Sequence, residues 1–268
     1  DQGEVLKTKK GDIPNALDAN IIYDRKDNPW LVFGSFFGGI YISRLNKNNG
    51  KLLNKNKRKL IARRPQSVDG AVEGPYIIYN SEFDKYYLFV SYGSLFSNYN
   101  VRVGRADSVT GPYKDFNGNK MTNITDNPLV IGNKILGSYS FSGQSWKAPG
   151  HNSILKDGAK YYIAHHARAG LNKHWIYLHI RRILWSNKGW PLVSPERYAG
   201  GKIQPISKKI FNGFWKYFKL FPTEDKLYIP ENIKIMKNGQ IKGRNSKDYW
   251  KKTGDYTFEL YFYQNNFN

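Results

Sequence analysis

The sequence predicts an all-β protein built from repeated antiparallel meanders, the sheet unit of a β-propeller. Short runs rich in β-branched and aromatic residues, such as Trp30-Leu-Val-Phe33 and Tyr86-Tyr-Leu-Phe-Val90, are broken by Asn, Asp, Gly and Pro, which is how strands joined by tight turns read. The same order of elements recurs three times along the chain: polar head, strand, tight turn, strand, longer loop, strand. Seven Trp, twenty Tyr and fifteen Phe stand against few long aliphatic helical runs.

The first unit opens with Asp18-Ala-Asn-Ile-Ile-Tyr-Asp24, turns at Asn28-Pro29, and continues through Trp30 to Ser35 and Gly39 to Ser43. The second opens with Glu73-Gly-Pro-Tyr-Ile-Ile-Tyr-Asn80, turns at Phe83-Asp-Lys85, and continues through Tyr86 to Tyr92 and Tyr99 to Arg105. The third opens with His151-Asn-Ser-Ile-Leu-Lys156, turns at Asp157-Gly158, and continues through Lys160 to His166 and Trp175 to Ile180. The heads lie 55 and then 78 residues apart, the second interval swollen by a loop from about residue 114 to 148. Units of this size match propeller blades. Beyond them, Trp185-Ser-Asn-Lys-Gly-Trp190 reads as a hairpin turn, residues 191–201 as a linker and residues 202–268 as a small separate β unit.

Glu73 is the first candidate for chemistry. It sits between Val72 and Gly74-Pro75 at the mouth of an apolar strand, where folding alone asks for no charge and an ionised carboxylate is costly to desolvate. An ordinary turn carboxylate is the plain alternative; the repetition is what favours function. In a propeller the first strand of each blade lines the central channel, so Asp18, Glu73 and His151 are expected to meet at one end of it. His165, His166, His174 and His179 read as core or surface fillers along strands.

Composition bounds the function. With no cysteine, disulfides, thiolate metal sites and a cysteine nucleophile are excluded. The net charge of +21 admits nucleic acid, an anionic surface or an acidic polymer as partner. The Lys residues are nevertheless scattered among Asn, and no nucleic-acid motif or phosphate loop is present, so no nucleic-acid partner is expected. No run approaches the roughly 20 apolar residues of a membrane span. The aromatic content suits sugars, whose C–H faces stack on rings.

Several motifs, in order, resemble the endo-α-1,5-L-arabinanases of glycoside hydrolase family 43, most closely the larger type with a C-terminal β domain. They are Leu17-Asp-Ala-Asn-Ile21, Phe33-Gly-Ser-Phe-Phe-Gly-Gly-Ile40, Val72-Glu-Gly-Pro-Tyr76, the stretch from Ser91 to Arg105, Ala148-Pro-Gly-His-Asn-Ser153 and Trp190-Pro-Leu-Val-Ser-Pro-Glu-Arg-Tyr198. The resemblance implies a five-bladed propeller of which residues 1–200 hold about three blades, those starting near 18, 73 and 151, with residues 201–268 forming the C-terminal β domain. It implies Glu73 as general acid, Asp18 as modulator of the acid's pKa and positioner of substrate, and His151 as ligand to a largely water-coordinated cation, usually calcium. Ser35 and Phe36 match residues that shape the sugar pocket, and Asn98 and Arg102 lie in a loop that faces the cleft. Phe37 departs from the family, where Trp is common.

On the residues alone Asp18 reads as the base; the resemblance instead implies an Asp on a first blade, upstream of residue 1. The expected substrate is arabinan, a side chain of pectin, cleaved with inversion by an acid and a base, outside the cell. A chain without the base is expected not to turn over arabinan, and a separate chain carrying the N-terminal blades is the partner that restores it. Two rivals are a sugar-binding propeller fragment that holds arabinan or pectin uncut and a basic scaffold for polyanions.

Overall fold

The structure, a computed structural model, describes residues 3–170, 172, 174–223 and 226–263. It divides into two compact units, Asp1–Arg197 with Leu220–Leu227, and Tyr198–Lys219 with Tyr228–Asn268.

The first unit holds three antiparallel meander sheets. The first contains β1 (Asn20–Tyr23), β2 (Pro29–Phe33), β3 (Ile40–Arg44) and β4 (Lys59–Ala62) in that spatial order. Its first turn is built around Asp24, whose carboxylate accepts from the backbone N–H groups of Lys26 and Asn28 and from Trp30 Nε1. Burial pushes the Asp24 carboxyl up, but these donors outweigh it and hold the group at about 2. The second sheet contains β5 (Val72–Asn80), β6 (Lys85–Tyr92), β7 (Asn100–Ala106) and β8 (Asn133–Leu136), again in chain order. The third runs from β9 (Tyr139–Phe141) through β10 (Gln144–Asp157), β11 (Lys160–Ala169) and β12 (Ile176–Trp185) to β13 (Pro191–Val193).

Two details differ from the sequence reading. The stretch from Pro191 begins as an edge strand, with Val193 opposite Ile183, because the turn at 186–190 closes a true hairpin and Pro is tolerated at the first position of an edge strand. Residues 220–227 belong with the first unit, where Pro222 O accepts from Arg102 Nη2 at 2.7 Å and Phe221 O from Lys134 Nζ.

The sheets stack face to face, and the core lies between them. Val32, Ile40 and Ile42 pack against Val72, Leu88 and Val90 between the first and second sheets. Tyr87, Phe89 and Val103 pack against Ile154, Ile163 and Ile183 between the second and third. Polar ties pin the same joints: Ile77 N donates to Asn20 Oδ1 at 2.9 Å, and Tyr87 Oη donates to Gly189 O at 2.6 Å.

The second unit holds a three-stranded sheet, β14 (Gly213–Tyr217), β15 (Glu231–Ile235) and β16 (Ile241–Lys242), and a hairpin of β17 (Tyr249–Lys252) and β18 (Phe258–Tyr261). Its own core gathers Phe211, Ile233, Ile235, Ile241 and Trp250. Among the described residues no helix is long and apolar enough to cross a membrane.

Candidate active site

β5 near its start and β10 near its middle are bulged where the polar heads sit. In β5 the pairing with β6 shifts between Glu73 and Tyr76, and in β10 it shifts on both sides of Gly150. Bulges re-aim side chains at the rims of sheets. Gly74 supplies the left-handed turn, with φ +57°, and a Cβ there would lie 3.3 Å from His151 Cα, so a side chain at 74 would strain the turn and crowd the other head. Asp18, Phe36 and His151 also have left-handed φ, at 56°, 50° and 51°. Such conformations in non-glycine residues cost about 1–3 kcal/mol each and cluster at functional sites.

The three heads come together across the three sheets. Asp18 Oδ2 accepts the backbone N–H of Gly74 at 2.9 Å, and Asp18 Oδ1 lies 3.7 Å from His151 Nε2. Glu73 is held by both oxygens: Tyr99 Oη donates to Oε1 at 2.6 Å, and Ser35 Oγ to Oε2 at 3.2 Å. The neighbouring Phe36 is fixed by its backbone N–H, which donates to Val72 O at 2.8 Å.

Beside Glu73 lies a cleft of about 660 Å³, walled by Phe36, Arg64, Phe96 and Asn98 among others. Asn98 closes the loop that forms its rim, its Oδ1 accepting from Ser94 N at 2.7 Å. Arg168 of β11 pins that loop from the third sheet: its Nε donates to Leu95 O at 2.6 Å and its guanidinium sits over the Phe96 ring. Arg102 also borders the cleft, but it is 1% exposed and donates to Asn100 Oδ1 and to the carbonyls of Leu129, Gly132 and Pro222. Its charge is spent on framing the wall. Phe37 is 60% exposed.

A cation at this centre would find one imidazole and, beyond it, one carboxylate oxygen already facing that imidazole. Among the described residues no group of three His, Asp or Glu side chains converges to hold a metal. Calcium takes six to eight oxygen ligands, so the protein atoms present do not by themselves make a calcium cage, and no chemical step below passes through one.

Tyr99 and Ser91 are the site residues that sequence reasoning left without a role. Counting back from the Asn80–Lys85 turn puts Tyr92 opposite Glu73; the bulge at Gly74-Pro75 moves Ser91 there instead. A Gly-Pro pair just inside a strand was the available signal.

The family model described as Glycosyl hydrolases family 43 matches residues 4–191, and that of a C-terminal lipocalin-like domain matches residues 195–268. The chain belongs to glycoside hydrolase family 43. It is similar to an extracellular endo-α-(1→5)-L-arabinanase of Thermotoga petrophila, 33% identical over 248 residues, covering 86% of this chain and 52% of that protein. A second such enzyme, from Bacillus subtilis, is 32% identical, covering 92% of this chain and 56% of the relative. The crystal structure of the Thermotoga petrophila endo-1,5-α-L-arabinanase superposes with a TM-score of 0.84 at 32% identity, over 92% of this chain and 57% of that one. An α-L-arabinanase of Cellvibrio cellulosa, solved with arabinohexaose, superposes with a TM-score of 0.59 at 32% identity, over 72% and 61%. The chain spans about half the length of the curated relatives it matches.

Proposed function

We propose that this chain carries the acid-bearing part of an endo-acting, inverting α-1,5-L-arabinan hydrolase that works outside the cell on arabinan side chains of pectin. The carrying observation is the fixing of Glu73 by Tyr99 and Ser35 on the wall of a cleft with exposed aromatic Phe96. The names of the relatives support the substrate and the location.

Glu73 is the general acid: it protonates the departing glycosidic oxygen while water attacks the anomeric carbon from the opposite face. Asp18 positions that acid. One of its oxygens holds the Gly74 N–H and the other faces His151, so it is committed to organising the neighbouring sheet. The carboxylate that activates water is therefore assigned to blades outside this chain, supplied by the same polypeptide or by a separate one. The +21 charge suits retention on acidic pectin.

The test is release of reducing ends from linear arabinan by the polypeptide containing this chain, with the product anomer followed by NMR. Glu73→Gln is expected to lower kcat about 10²- to 10⁴-fold, and the first product is expected to have inverted configuration. Full activity in Glu73→Gln would sink the assignment. The hold of Asp18 on the Gly74 N–H also favours a second reading for the chain on its own, a module that holds arabinan uncut. Calorimetric binding of arabino-oligosaccharides without product release marks that case.

A further inference from the structure

The contacts around Glu73 have a direction. The backbone N–H of His151 can only donate, and it donates to Ser91 Oγ at 2.8 Å. Ser91 is fully buried, and with one lone pair so occupied its own proton is free to point elsewhere. It is hydrogen-bonded to the Tyr99 hydroxyl, and because the Glu73 carboxylate can only accept, the tyrosine proton goes to Glu73 and the serine is the donor. Tyr99 in turn has its proton left for Glu73 Oε1, 2.6 Å away. Burial first, and then the Glu73 carboxylate, push the Tyr99 phenol far above its ordinary range, so it stays a donor at any working pH.

The tyrosine ring is seated for this. It is 1% exposed and stacks on His166 at 5.5 Å between centroids with an interplanar angle of 9°. A Cβ at position 150 would lie 2.0 Å from its Cδ1, so the glycine before His151 leaves the slot the ring occupies.

We propose that Tyr99 is a positioning residue of the acid, resting on the reading of Glu73 above: fed by Ser91, it donates to Oε1 and so leaves Oε2 as the oxygen that carries the transferable proton. An oxygen already accepting a fixed donor hydrogen bond is the poorer place for a proton. Ser35, a rotatable hydroxyl beside Oε2, can turn from donor to acceptor when that oxygen is protonated. In the reaction the Oε2 proton passes to the glycosidic oxygen as its bond to the anomeric carbon breaks. Glu73 is left as a carboxylate with Oε1 still bonded to Tyr99.

Two measurements test this. In the chain labelled with 13Cζ-tyrosine, the Tyr99 signal is identified by its loss in Tyr99→Phe and is expected to move in both Glu73→Gln and Ser91→Ala. A signal unmoved by both substitutions overturns the relay, whether or not the chain has activity. In turnover by the polypeptide containing this chain, Tyr99→Phe keeps the ring in its slot and is expected to lose about 10- to 100-fold in kcat on arabino-oligosaccharides. It should lose little on a dinitrophenyl arabinotrioside, whose leaving group needs no proton. Equal loss on both substrates would mean that Tyr99 only packs, and the proposal falls. If instead Glu73→Ala loses equally on both, Glu73 is not the acid: the proposed function fails while the relay seen by NMR still stands.

Discussion

Gly150 is set by a ring that arrives from another sheet. A methyl group there would stand 2.0 Å and 2.2 Å from two carbons of Tyr99, far inside contact distance, so the ring or the backbone has to shift. Gly150→Ala is expected to cost about 1–3 kcal/mol of stability, read by urea denaturation. Where the folded form survives, it should lose the Tyr99 signal shift just described, because the ring must leave Glu73. At this scale the sequence was partly legible. Asp18, Glu73 and His151 announce themselves because each is an ionisable residue at the head of an apolar strand, a placement folding does not explain. Tyr99 and Ser91 do not. A buried Ser or Tyr in a β run looks like core; the bulge-shifted register is what brings Ser91 opposite the acid, and Tyr99 reaches it from the loop end just before β7.

Strands and turns were the most legible elements, because alternation and turn residues are local signals: the hairpins at Asp24–Asn28, Asn80–Lys85 and Asp157–Lys160 fall where Asn, Asp, Gly and Pro gather. The interior of the third sheet was not legible. His165 and His179 are buried on its inner face, 1% and 0% exposed, with rings 5.4 Å apart and Arg181 beside them. Burial, reinforced by Arg181, holds His165 down at about 3 and His179 at about 4; burial and then His151 hold His166 at about 4. All three are depressed below the unfolded value of about 6.5, so the unfolded chain takes up protons that the folded sheet refuses. Stability from this source is therefore level above about pH 6.5 and falls as the pH drops toward 4, by at most about 1.4 kcal/mol per pH unit for each imidazole. Denaturant midpoints between pH 7 and pH 4.5 should show this fall, and His179→Gln should make it shallower; an unchanged slope would assign the acid sensitivity to carboxylates.

At the scale of the whole molecule, the third sheet carries a group of exposed aliphatic side chains. Leu155, Ile176, Leu178, Ile180, Leu184 and Leu192 share one face of that sheet by their pairing register and are between 42% and 72% exposed. Exposed aliphatic residues gathered on one face are a site of association. The chain studied alone is expected to self-associate as its concentration rises, and Leu178→Thr with Leu184→Thr to weaken that in sedimentation velocity. A monodisperse parent at high concentration would count against it.

The active groups come from separate sheets, Ser35 and Asp18 from the first, Glu73 and Tyr99 from the second, His151 from the third. The gaps between groups of different sheets are therefore fixed by no strand's internal ladder; the thickness of the filling between sheets sets them. Methyl groups at Val72 or Val90, both fully buried, act as shims whose addition or removal would reset the jaw without touching a tooth. Selection on substrate length could thus operate through bulk in the apolar seams while every chemical group stayed unchanged.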